Sequence, residues 1–141
     1  MSTEEELAPH VTREFLNDGR IVVFSLKSVS RSDVDTYAYY LNATSDDYPT
    51  EFPFCLIQDF SELPTLTPYV RQVIDDVVTH FQSKFPAVYA AVLVQPSIYG
   101  RITSNFVKRD LDSPSGGERR VLQSRAEAIE WLEQVITETL S

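Results

Sequence analysis

"FCLIQDFSELPTLTPYVRQVIDDVVTHF", residues 54–81, is the stretch whose reading decides the fold. Phe54-Cys55-Leu56-Ile57 is an apolar run with the character of a strand. Polar and turn-forming residues follow from Asp59, and a helix is predicted to begin at Thr67-Pro68. The threonine oxygen can cap the free amides, and proline fits the first helical position. Val70, Val73, Ile74, Val77, Val78 and Phe81 then recur at i, i+3, i+4, i+7, i+8 and i+11, the period of an amphipathic helix. Arg71, Gln72, Asp75, Asp76, Thr79 and His80 fall on its other face. A strand, a polar loop and a helix in this order form one unit of an α/β protein.

On the N-terminal side, "HVTREFL" and "IVVFSL" flank Asn17-Asp18-Gly19-Arg20. Asn-Asp-Gly between apolar runs signals a hairpin, because these residues tolerate the positive φ that tight turns need. Ile21–Leu26 is apolar on both faces and is expected inside the sheet. Ser30 caps a helix with Asp33 in its first turn, where a carboxylate meets the positive end of the dipole. Val34, Tyr37, Ala38 and Leu41 mark its apolar side. Residues 42–53 are polar and proline-bearing and are expected as a loop.

Toward the C-terminus, residues 87–94, "AVYAAVLV", read as a buried strand. Ser97 is expected to cap a helix with Ile98, Ile102 and Phe106 on one side. Residues 110–118 read as a flexible turn region and "RRVLQ" as a short strand. Ser124 and Glu127 form a capping box. The last helix is expected to bury Ala128, Ile129, Leu132, Val135 and Ile136, with Trp131 beside them. Residues 1–9 read as a flexible acidic tail and 10–141 as a single domain. Strands alternating with helices imply a largely parallel sheet with right-handed crossovers.

The 141 residues suit one core, and 43% apolar with 23% charged residues is ordinary globular composition. A net charge of −9 disfavours nucleic acid and anionic membrane surfaces as partners. No signal peptide and no membrane-length apolar run is seen, so membrane insertion is not expected and the location is read as cytoplasmic. The single cysteine, Cys55, is expected as a buried structural thiol. No Walker motif, GxGxxG or GxSxG occurs. His80 with Asp76 is the only histidine–carboxylate pair at helical spacing, and it reads as a surface pair rather than a metal site. No catalytic residue, metal or cofactor is predicted. Lys108, Arg109, Arg119 and Arg120 form the only basic cluster.

Four stretches together resemble the STAS domain, the sulfate transporter and anti-sigma factor antagonist fold, in its SpoIIAA-like branch. They are "REFLNDGRIVVFSL", "LIQDFSELPTLTP", "VLVQPSIYGRITSNFV" and "RRVLQSRAEAIEWL", in order from about residue 10 to 140. The resemblance implies a mixed, mostly parallel sheet of four to five strands. An N-terminal hairpin opens it, and about four helices pack mainly on one face. It also implies binding and signalling rather than chemistry. In anti-sigma factor antagonists a serine at the start of the helix after this loop is phosphorylated. Here that position falls on Pro68, which accepts no phosphate, and Thr67 is one residue away.

The expected role is therefore a non-catalytic protein-interaction module in a signalling or regulatory pathway. Its partner would be a regulator, a kinase-like protein or a second copy of the chain. Asp59, Ser61, Thr67 and Arg71 are the candidate partner loop. Tyr37, Tyr39 and Tyr40 cannot all point inward from one helix. Tyr37, Tyr40 and Phe52 are the candidate interface or ligand aromatics, and a small apolar, lipid-like ligand is the alternative partner.

Overall fold

The computed structural model describes residues 4–96 and 117–140, with Leu140 described in its backbone alone. Among the described residues six strands and three helices are formed. They are β1 (Glu5–Ala8), β2 (Val11–Leu16), β3 (Ile21–Leu26), α1 (Arg31–Asp46), β4 (Phe54–Asp59), α2 (Pro68–Lys84), β5 (Val88–Leu93), β6 (Gly117–Leu122) and α3 (Arg125–Leu140). The strands lie side by side in chain order, β1-β2-β3-β4-β5-β6. β1, β2 and β3 pair antiparallel, and β3 through β6 pair parallel.

The hairpin between β2 and β3 forms where Asn-Asp-Gly predicts it. Asn17, Asp18 and Gly19 all take positive φ (53°, 57° and 84°). The Gly19 N–H closes the turn on the Leu16 carbonyl at 3.1 Å. β3 has all six residues buried, as its two-sided apolar pattern requires.

Side-chain alternation divides the sheet into two apolar faces. Val22, Phe24, Leu26, Leu56, Val88 and Val92 face α1 and α2, meeting Val34, Tyr37, Leu41, Val70, Ile74 and Phe81. Ile21, Val23, Cys55, Ile57, Ala91 and Leu93 face α3, meeting Ala128, Trp131, Leu132, Val135 and Ile136. Each step from β3 to β4 to β5 advances in the same direction across the sheet. Crossovers of one hand therefore put α1 and α2 on the same side. α3 leaves the last strand and covers the other side.

Several expectations are corrected. The sheet has six strands rather than four or five, because Glu5–Ala8, read as tail, pairs with β2. The strand exists because the β2 edge offers unpaired amides and carbonyls that the preceding residues satisfy. Of the three described helices, α1 and α2 share one face, and α3 builds a second core on the other. Three helices stand among the described residues where about four were expected. The helix expected from Ser97 lies outside the described residues. α1 continues through Asp46, five residues beyond its last predicted apolar position, Leu41. Thr44 and Ser45 are buried, and Lys84 of α2 pairs with Asp46 at 2.7 Å. Tertiary contact overrides the polar composition there.

Arg119 and Arg120 do not share a surface. Arg119 is buried and faces Asp75 of α2 at 3.7 Å. Arg120 points to the other face, pairs with Glu118 at 2.6 Å and lies over the Trp131 ring at 4.5 Å. Lys108 and Arg109 lie outside the described residues.

Candidate functional site

The loop from Asp59 to Thr67 is built from local hydrogen bonds and three apolar anchors. Asp59 closes β4, and its Oδ1 accepts from both the Ser61 N–H at 3.0 Å and the Ser61 hydroxyl at 2.5 Å. This is an Asx turn with a second donor from the serine. Thr67 Oγ1 accepts from the Val70 N–H at 3.2 Å, and Pro68 opens α2. Phe60, Leu63 and Leu66 are buried beneath the loop. The Phe60 N–H bonds to the Leu93 carbonyl at 2.9 Å. The outward residues are Ser61, Glu62, Pro64, Thr65, Pro68 and Arg71. Asp59, Ser61 and Thr67 thus each hold the loop in shape, and Ser61 and Arg71 are the two of the four that are exposed.

The three candidate aromatics are placed apart. Tyr37 has no exposed surface. Its hydroxyl accepts from the Gln58 amide at 2.9 Å, and its ring meets Phe24 and Phe60 edge-on at 5.7 Å. Burial pushes its hydroxyl far above the usual phenol range, so it stays neutral. Tyr40 is half-buried, edge-on to Tyr39 at 5.2 Å. Tyr39 is the outward member of the trio, 68% exposed. Phe52 is half-buried under the Arg20 guanidinium at 4.2 Å. Phe54 stacks on Phe85, and the other contacts among Tyr48, Phe54, Phe81 and Phe85 are edge-on, with centroids 4.8 to 6.3 Å apart. Ring fills the space beside ring in this part of the core.

Two grooves open on the α1–α2 side. One, of about 450 Å³, lies between α1 and α2, lined by Asp35, Ala38, Asn42, Val73, Asp76 and His80. Tyr69 donates its hydroxyl to Asp35 nearby, and Arg31 lies over the Tyr69 ring at 4.5 Å. Among the described residues no group of three or more His, Cys, Asp or Glu side chains is placed to hold a metal ion. Among the described residues no helix is long and apolar enough to cross a membrane.

The second groove, of about 340 Å³, lies where β2 meets the end of α1. Arg13, Phe15, Thr44, Asp47, Tyr48 and Pro49 line it. Phe15 is 38% exposed, and with Tyr39 it makes up the exposed large apolar residues among those described. The Arg13 guanidinium reaches across the groove to Thr44 Oγ1 at 2.9 Å. It also forks onto the Glu5 carboxylate at 3.2 Å to each oxygen. Its plane lies 5.2 Å from the Phe15 ring. The Tyr48 hydroxyl donates to the carbonyls of Arg20 and Pro53, at 2.8 and 3.0 Å. This arrangement offers a ring, an arginine fork and a tyrosine wall within one depression, the side-chain types that anchor protein interfaces. Reading the sequence missed it. The available signal was the Arg13-x-Phe15 spacing, which puts both side chains on one face of a strand.

Compared with known proteins, the chain matches no family model, no curated protein and no solved structure.

Proposed function

We propose that the chain is a non-catalytic protein-interaction module in a signalling or regulatory pathway, and that the Arg13–Phe15 groove is its principal contact. The reading draws on the resemblance of the 56–68 and 119–132 stretches to SpoIIAA-like STAS domains. The observation that carries it is the exposure of Phe15 beside Arg13 and Tyr48 in a depression of about 340 Å³. Arg71 and the outward residues of the 59–67 loop form a second surface for the same role. With proline at position 68, the interaction is read as constitutive rather than phosphate-switched.

Affinity capture from the native host, with wild-type, Phe15→Ala and Arg71→Ala chains, tests this. The captured protein is then purified and titrated by calorimetry. Phe15→Ala is expected to weaken binding by at least about tenfold, the cost of a truncated interface anchor. An unchanged dissociation constant for both variants would overturn the proposal.

A further inference from the structure

The two hairpins of the sheet are joined by turns of opposite quality. The β2–β3 turn places three successive residues at positive φ, as the right-handed twist of the strands demands. The β1–β2 turn is shorter: Ala8 pairs directly with Val11, leaving Pro9 and His10 as its centre. Two-residue turns that match strand twist need positive φ at the first centre residue. The Pro9 ring forbids it, and His10 does not take positive φ either. The hairpin absorbs the mismatch as a register shift between Glu6 and Ala8. Proline also biases the residue before it, Ala8, toward an extended backbone. Opened out, Ala8-Pro9-His10-Val11 becomes a connection the local chemistry prefers.

The seat of β1 is, by contrast, well made. Arg13 receives Glu5 with both carboxylate oxygens, and Leu7 and Ala8 pack against the core. β1 is thus four residues with a specific seat and a poor hinge, the combination that favours exchange of an element between identical chains.

We propose that two copies of the chain exchange β1, so that Glu5 of each copy is held by Arg13 of the other. The occupant of the β2 edge is the second copy's own Glu5–Ala8, because that segment already fits this seat. The inference stands apart from the interaction-module reading, since its readout is which chain supplies β1.

Sedimentation equilibrium of the full chain and of Pro9→Gly is the first test. Glycine at the first centre position allows the twist-matched turn, so Pro9→Gly is expected to weaken dimerisation at least about tenfold. A chain that stays monomeric across the accessible concentrations, or an unchanged dissociation constant, overturns the proposal. The second test places cysteines at a directly paired position, Glu6→Cys with Thr12→Cys, and oxidises the protein. Exchange yields a covalent dimer on a non-reducing gel, whereas a bond closed within each chain of the dimer fraction overturns it. If Thr12→Cys does not fold, the Pro9→Gly comparison decides alone.

Discussion

Cys55 is the second residue of β4, on the face covered by α3, with no exposed surface. Burial pushes its thiol up to about 12 from an ordinary value of 9.0, with Arg20 pulling weakly the other way. The consequence for stability has a definite sign. Below about pH 9 the thiol is protonated folded and unfolded, and its contribution does not change. Above that the unfolded chain sheds the proton while the folded chain keeps it. Stability therefore falls as pH rises from about 9 toward about 12. Urea unfolding is expected to lose about 1 kcal/mol between about pH 9 and about pH 10, and Cys55→Ala is expected to flatten that interval. A wild-type chain as flat as the variant would show that the thiol is solvated. The sequence foretold a buried structural thiol from its apolar neighbours, and the fold agrees. Tyr37 was less legible: three tyrosines within four positions say that one faces out, but helix phase against a particular sheet selects Tyr39.

At the scale of elements, signals made by a few adjacent residues were readable. The Thr67 cap with Pro68, the capping serine of α1, the Asn-Asp-Gly turn and the Val70–Phe81 stripe all stand where local chemistry puts them. Thr67→Ala removes the acceptor for the Val70 N–H and is expected to lower stability by about 1 kcal/mol, while Thr67→Ser retains most of it. Thermal melts of the three chains check this, and an unchanged Thr67→Ala would mean the loop anchors alone hold the helix start. Those anchors were overlooked. Phe60, Leu63 and Leu66 are spaced three apart in a segment read as polar, yet all three are buried. The extension of α1 through Asp46 had no local signal, since Thr44, Ser45 and Asp46 are indifferent to helix by propensity and are settled by Arg13 and Lys84.

At the scale of the whole molecule, the described residues form one sheet with an apolar core on each face. α3 shields Ile21, Val23, Cys55 and Ile57, so its detachment would expose the middle of β3 and β4. The two cores share every central strand and should unfold together. The chain has a single tryptophan, Trp131, and it lies on α3. Its fluorescence and the far-ultraviolet circular dichroism are expected to trace one coincident urea transition. Leu132→Ala should shift both by about 2–5 kcal/mol. A tryptophan transition that precedes the dichroism change would identify α3 as a separable layer.

The sequence by itself determined the α/β class, the β2–β3 hairpin, the three helix starts among the described residues and the strands that pair in parallel. These rest on periodicity, caps and turn residues within a few positions of one another. Only the tertiary structure decided that Glu5–Ala8 becomes a strand, that α3 takes the opposite face, that Arg119 turns inward to Asp75 while Arg120 turns outward, and that Arg13, Phe15 and Tyr48 share a groove. Each of these depends on which surfaces meet across long stretches of chain. Local propensity carries no record of that, because the free energy that selects it comes from burial and pairing between distant residues.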